Sequence, residues 1–216
     1  MTNDELIEFV DETGIPTGIA PRSEIHARGL WHRAVHVWVL AADSCGGRIL
    51  FQQRAATKDV EPGMFDVSVG GHLAPGEKPC AGALRELEEE LGVVASFEDL
   101  QFLGVRQTAH RYHQIIDQEV QSIYCLRHSM PLDTYCVNEE EIAAISLLGV
   151  GEGLRFFSTP GARITEEVAV AGNENVLLRE MRTLAQTDFI PSLDRYFYRA
   201  CIVAQQVLRG DTYIAL

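Results

Sequence analysis

The stretch from Pro79 to Gly92, PCAGALRELEEELG, most narrows what this chain can fold into. Proline in the first turn and glycine just past the end are the punctuation of an α-helix. At about 100° per residue, Leu84, Leu87 and Leu91 fall on one stripe, so the helix must cover an apolar surface. Glu86, Glu89 and Glu90 fall on the opposite side. As i, i+3 and i+4 neighbours their charges repel, and they crowd the C-terminal half, where the macrodipole disfavours anions by roughly 0.3–1 kcal/mol each. Stability alone does not select such an arrangement. A solvated acidic face is the ordinary explanation for helical glutamates, but clustering at the unfavourable end, beside the glycine-rich Gly70-Gly71 turn, points to a divalent-cation site. Oxygen ligands without cysteine suit Mg²⁺ or Mn²⁺ rather than zinc.

The flanking pattern is mixed. Glu8–Asp11 and Ile15–Ile19 read as a hairpin about Thr13-Gly14, followed by a short turn or helix near Ser23–Ala27. Trp31–Leu40 alternates Val35, Val37 and Val39 with His32, His36 and Trp38, a strand with two distinct faces. Arg48–Arg54 returns after Cys45-Gly46-Gly47, and Phe65–Val69 reads as a short strand halted by Gly70-Gly71. Further strands are expected at Gln101–Val105, Ile115–Leu126 and Glu141–Leu148, and the tail reads as two amphipathic helices, near Val176–Ala185 and Pro191–Leu208. Without strict βαβ alternation, the expected class is α/β, a mixed β-sheet covered by helices. No linker divides the chain, so a single domain over 1–216 is expected: a core at about 30–150, an N-terminal hairpin extension at 1–29 and a C-terminal helical extension at 151–216.

Charge bounds the partners. With 31 Asp+Glu against 18 Lys+Arg the formal net charge is −13, which argues against nucleic acid and against an anionic membrane. An acidic protein that handles phosphate needs cations locally. The amino terminus carries neither a basic nor an apolar leader segment and no apolar run approaches about 18 residues, so a soluble, cytoplasmic protein is expected. Five cysteines, odd in number and without CxxC spacing, favour reduced thiols over a disulfide framework or a zinc site.

Gly71, Glu77, Arg85-Glu86-Leu87, Glu89-Glu90 and Gly92-Val93 fill every fixed position of G-x5-E-x7-R-E-U-x-E-E-x-G-U, where U is apolar. In this the chain resembles the Nudix hydrolases. The resemblance implies an α/β/α sandwich and metal-assisted cleavage of a diphosphate joined to another group. It also implies that Glu86, Glu89 and Glu90 hold the metals, that one of them or a later acid activates water, and that Gly71 offers its carbonyl to a metal. Arg85 and Glu77 would then orient loop and helix, with Gly92 closing the box. The residue types suit that chemistry, because cations reverse the sign of an acidic site and let a diphosphate enter.

A second set is similar to isopentenyl-diphosphate isomerase, a branch of the same superfamily: Ile15-Pro16-Thr17-Gly18, Arg22, His26, Leu30-Trp31-His32, Gln53-Arg54-Ala55, Lys58, Pro62-Gly63 and Gly71-His72, in that order. Asp117 and Glu119 match that enzyme's carboxylate pair, and on a strand they share a face. The likeness implies a second metal site at His26, His32, His72, Asp117 and Glu119, although the His26–His32 spacing is one residue short. It also implies diphosphate contacts from Arg54, Lys58 and Arg22. Two departures favour hydrolysis over isomerisation. Gly70 stands where the isomerase has its cysteine, and the acidic helix is complete where the isomerase's is degenerate. Glu141, in Asn138-Glu139-Glu140-Glu141-Ile142, is the first choice for a further catalytic acid from a loop. Aromatics on several faces of the final helix suit core packing, a pocket lid or a homodimer contact. The expected function is a Mg²⁺- or Mn²⁺-dependent pyrophosphohydrolase of a small diphosphate substrate, nucleoside or isoprenoid. An isomerase and a silent metabolite-binding module are the alternatives.

Overall fold

The computed structural model describes residues 4–172, 176–212 and 214–216. The N-terminal hairpin forms as read: β1 (Leu6–Val10) and β2 (Pro16–Pro21) pair antiparallel, and α1 (Arg22–Arg28) follows, closed by Gly29 in the left-handed region. Ile7, Ala20 and Ile25 bury against one another in a small core of their own.

The central strand is β3 (Trp31–Ala41), followed by β4 (Arg48–Arg54), β5 (Phe65–Asp66) and β6 (Val69–His72). Gly70-Gly71 lies inside β6 and does not halt it. The reason is room, since a Cβ on Gly71 would lie 2.1 Å from a Glu86 oxygen and one on Gly70 would press on the His36 ring. After α2 (Pro79–Leu91) come β7 (Leu100–Tyr112) and β8 (Ile115–Arg127), a hairpin far longer than its apolar core suggested. Next are β9 (Ile142–Gly149), α3 (Val150–Ser158), β10 (Arg163–Ala171), β11 (Leu177–Ala185) and α4 (Tyr196–Arg209).

The strands form one mixed sheet, with β3 parallel to β8 and antiparallel to β6. Both faces of β3 are covered. Val35, Val37 and Val39 pack with Leu87 and Leu91 of α2, while Trp38 and Leu40 pack with Phe51, Phe156, Phe197 and Val207 beneath α3 and α4. This is the expected α/β/α layering.

The tail departs from expectation. The stretch 176–185, expected as an amphipathic helix, is strand β11, and β10 precedes it unforeseen. Nine paired residues from Arg163–Ala185 to Ala171–Leu177 satisfy its backbone, so pairing outweighs a three-residue apolar period. Of the expected helical extension, α3 and α4 alone are α-helices; the two strands widen the sheet. Among the described residues, no helix is long and apolar enough to cross a membrane.

Candidate active site

β3 and β4 pair only at Leu40–Ile49 and Ala41–Arg48, then diverge, with β6 added to one and β5 to the other. At this fork lies a cleft of about 1070 Å³.

One wall is the acidic helix. Glu86 and Glu90 are not on a solvated face: they are 9% and 5% exposed, flanking the buried stripe of Ala83, Leu87 and Leu91, while Glu89 stands exposed. Ala83 takes the core position expected of Leu84, which is only half-buried. Arg85 organises the group. Its guanidinium donates to Glu77 Oε1 and Oε2 at 3.0 Å each, to Glu86 at 2.8 Å, to Glu89 at 2.9 Å and to the His72 carbonyl at 3.0 Å. Helix α2, its preceding loop and β6 are thus tied at one point. Burial pushes the Glu86 carboxyl up, against the pull of Arg85. Burial, with Glu86 beside it, holds Glu90 well above the usual carboxylate range, and Gln52 Nε2 donates to Glu90 at 3.1 Å. Glu141, just before β9, reaches the same cleft and accepts from Lys58. Gly92, at φ 66°, ends the helix with its Cα against Cys136.

The other wall gathers His26 from α1, His32 from β3, His72 from β6 and Asp117 and Glu119 from β8. Strand register does this, because His32 pairs with Glu119 and Ala34 with His72, while Asp117 and Glu119 share a face by the two-residue period. The short His26–His32 spacing is absorbed by Gly29, whose left-handed turn lets Leu30 N–H reach back to Ile25. The three rings lie 5.0–5.7 Å apart. Asp117 Oδ1 is 3.4 Å from His32 Nε2 and 3.7 Å from His26 Nε2, and Glu119 Oε1 is 3.8 Å from Nε2 of both His32 and His72. His26 Nε2, His32 Nε2 and Asp117 Oδ1 are buried without any hydrogen-bond partner. Three convergent orphaned ligand atoms are costly unless a cation receives them. His32 Nδ1–H donates to the Leu30 carbonyl at 3.0 Å, which leaves the Nε2 lone pair facing the cluster. Burial, with Arg22 nearby, lowers His26 to about 4 and so keeps it neutral, as a metal ligand must be. Asp117 is pushed up by burial and by the adjoining Glu119. Glu119 is held low because His32, His72 and His36 outweigh its burial. The histidine set therefore fits a divalent cation, its converging ligand atoms lacking protein partners. The α2 glutamates do not converge in the same way: Glu86 and Glu89 are both held by Arg85, and Glu90 accepts from Gln52.

The three cations expected to meet substrate all line the cleft, but each is already engaged. Arg22 grips Asp59 through two nitrogens at 2.6 and 2.9 Å, holding that carboxyl down at about 2. Arg54 donates to the Val60 carbonyl at 3.0 Å and to Asp66 at 3.4 Å, and Lys58 is paired with Glu141.

Several cleft residues escaped the sequence reading. Arg106 donates to Asp194 at 2.7 and 3.0 Å and to Gln121 at 2.7 Å, and Gln121 in turn donates to Glu119. Arg106 also stacks over Tyr196, 4.1 Å from the ring centre. No sequence signal joins residues this far apart. His110 pairs with Glu61 at 3.1 Å across the opening. His36 had a signal, since it alternates in phase with His32 along β3. Beside the cleft and sharing Ile190, Pro191, Tyr196 and Phe197 with it lies an apolar chamber of about 450 Å³, walled further by Met64, Phe157 and Phe189.

The NUDIX domain model matches residues 30–185, further into the tail than the core of about 30–150 read from sequence. An uncharacterised Nudix hydrolase of Clostridium acetobutylicum is 29% identical over 194 residues, 90% of this chain and 94% of that one. The isopentenyl-diphosphate Delta-isomerase of Streptomyces avermitilis is 42% identical over 92 residues, 42% of this chain and 45% of the enzyme. A crystal structure from Deinococcus radiodurans superposes with a TM-score of 0.53 at 24% identity, covering 71% of this chain and 89% of that one, a likeness of fold. With the family model spanning most of its length and the glutamate helix framing its cleft, the chain belongs to the Nudix hydrolase family.

Proposed function

We propose that this chain is a divalent-metal-dependent pyrophosphohydrolase of a small diphosphate compound, either a nucleoside diphosphate derivative or an isoprenoid diphosphate. The observation that carries the reading is the buried Glu86–Glu90 pair on the cleft wall, with Glu141 near it. Burial and mutual repulsion make Glu86 and Glu90 resist ionising together unless a cation joins them. Glu86, Glu89 and Glu90, with the Gly71 carbonyl, would hold Mg²⁺ or Mn²⁺, and His26, His32, His72, Asp117 and Glu119 would hold a second ion. Bound there, such ions neutralise phosphoryl charge and acidify water. The residues of the chain do the rest. Arg85 and Glu77 keep α2 in register with β6, Arg54, Lys58 and Arg22 meet phosphate oxygens, and Glu141, Glu119 or a box glutamate takes the proton from the attacking water. The adjoining apolar chamber suits the organic half of the substrate.

The test is phosphate release across nucleotides, sugar nucleotides and isoprenoid diphosphates with Mg²⁺ and Mn²⁺. Glu86→Gln and Glu90→Gln are each expected to abolish turnover with the fold intact; full activity in either refutes the reading. The assembled histidine cluster favours one second reading, an isomerase. Double-bond migration in isopentenyl diphosphate without phosphate release would establish it. Gly70, in place of a reactive cysteine, weighs for hydrolysis.

A further inference from the structure

Along one face of β3 the side chains run His32, Ala34, His36, Trp38. His32 belongs to the histidine cluster. At about 3.3 Å per residue His36 lies roughly 13 Å further along the strand, too far to share that cluster's ligand position. It nonetheless opens on the same cleft. Its environment fixes the ring in a particular way. His36 Nδ1 is 3.0 Å from the Tyr196 hydroxyl, and Trp38 Nε1–H donates to that same oxygen at 3.2 Å. Tyr196 is 3% exposed, and its hydroxyl hydrogen has no acceptor other than His36 Nδ1 among the described residues. Were Nδ1 protonated instead, a buried hydroxyl hydrogen would go unsatisfied, which is unfavourable. Tyr196 therefore donates to Nδ1, and the neutral ring carries its hydrogen on Nε2.

That Nε2–H makes no hydrogen bond within the described residues. Across the ladder from His36 stands Gly70, where an added Cβ would sit 3.2 Å from the ring Cδ2 and 3.4 Å from Nε2. Successive strand residues face opposite ways, so Gly70 clears space for the imidazole and Gly71 clears space for Glu86. A rigid, neutral donor is thus held on the face of β6 opposite Glu86, with both side chains opening on the one cleft.

We propose that His36 is a substrate-contacting residue, its Nε2–H donating to an oxygen of the bound diphosphate, with Tyr196 as the positioning residue that fixes the tautomer. The proposal rests on the reading of the cleft as a diphosphate site. A neutral donor suits this place because it adds no charge to compete with cations at the neighbouring glutamates.

The test uses inorganic pyrophosphate with Mg²⁺ as probe and the full chain throughout. In wild-type protein, two-dimensional ¹⁵N correlation of the His36 ring is expected to report the Nε2–H tautomer, with the Nε2–H signal shifting on pyrophosphate addition. His36→Phe is expected to weaken pyrophosphate binding about tenfold, while His36→Gln, which returns an N–H near the Nε2 position, restores most of it. Tyr196→Phe should give a mixture of tautomers and an intermediate affinity. A packing role alone would not be rescued by glutamine nor move the ring signal. An Nδ1–H tautomer in the wild type, or wild-type affinity in a folded His36→Phe, overturns the proposal, and the tautomer measurement stands even if that variant does not fold. Failures are separable. If Glu86→Gln and Glu90→Gln lose pyrophosphate binding while His36→Phe keeps it, only the His36 contact falls; if wild-type protein binds no pyrophosphate, the diphosphate reading falls with it.

Discussion

Gly71→Ala separates the needs of the site from the needs of the fold. Gly71 is not in the left-handed region, so alanine suits its backbone. Its Cβ, however, would lie 2.1 Å from Glu86 Oε1, 2.2 Å from Cδ and 2.6 Å from Oε2, where real contacts seldom fall below 3.0 Å. The carboxylate must therefore retreat by about 1 Å, a displacement that typically costs about a hundredfold in a positioned site. The retreating atoms are the end of a flexible side chain, so folding loses little, and stability should stay within about 1 kcal/mol of wild type. Gly92→Ala gives the contrast. There φ is 66° and the added Cβ meets Cys136 Cβ at 2.6 Å, so a cost of about 2 kcal/mol in stability is expected. The assay pairs thermal unfolding with Mg²⁺-dependent phosphate release on the best substrate of the screen. Wild-type turnover and Mg²⁺ half-saturation in Gly71→Ala, or a melting loss equal to that of Gly92→Ala, would refute this reasoning.

Three further perturbations follow from particular contacts. His32→Ala with His72→Ala should remove about one bound metal per chain, counted by elemental analysis; unchanged stoichiometry and activity would dismiss the histidine site. Glu166 is buried beside Glu152 and raised to about 7 from an ordinary 4.5, burial being the main cause. The folded chain then holds a proton that the unfolded chain releases, so stability from this group is full below about pH 4.5 and is lost as pH rises through about 7. Glu166→Gln should accordingly melt higher than wild type at pH 8, by on the order of 2 kcal/mol, with the gap closing at pH 5; an equal gap at both pH values counts against it. Phe189 is 4% exposed and stands within 6 Å of five other phenylalanine rings, so Phe189→Ala should cost about 3–5 kcal/mol in urea unfolding.

What could be read from the residues was what local spacing encodes. Glu77, Arg85 and the glutamates are set by positions on one loop and helix, and the pairing of Asp117 with Glu119 by the two-residue strand period. The histidines converge because β3 holds both β6 and β8, a register visible only in three dimensions. The burial of Glu86 and Glu90 was missed for a related reason. A helical wheel ranks residues by polarity, whereas a cleft can bury carboxylates against glycine. In the tail, Leu177, Met181 and Leu184 satisfy a helical period, yet Met181 is 65% exposed because the strand's pairing with β10, not its apolar face, holds it. Arg106 and Asp194 lie on β7 and just ahead of α4, and their union is written in no local pattern.

The prior engagement of Arg22, Arg54 and Lys58 governs how an anion can enter. On the proposed reading, an incoming phosphate does not find bare charge; it takes the place of Asp59, Asp66 or Glu141. Binding there is an exchange of one anion for another. The number of ion pairs changes little, few counterions are released, and affinity should respond weakly to ionic strength. Monovalent anions gain nothing by the trade, since they offer less charge than the carboxylate they would evict. On that reading, discrimination between a diphosphate and the simpler anions of its surroundings is built into the ion pairs of the cleft, before any contact with the organic group is made.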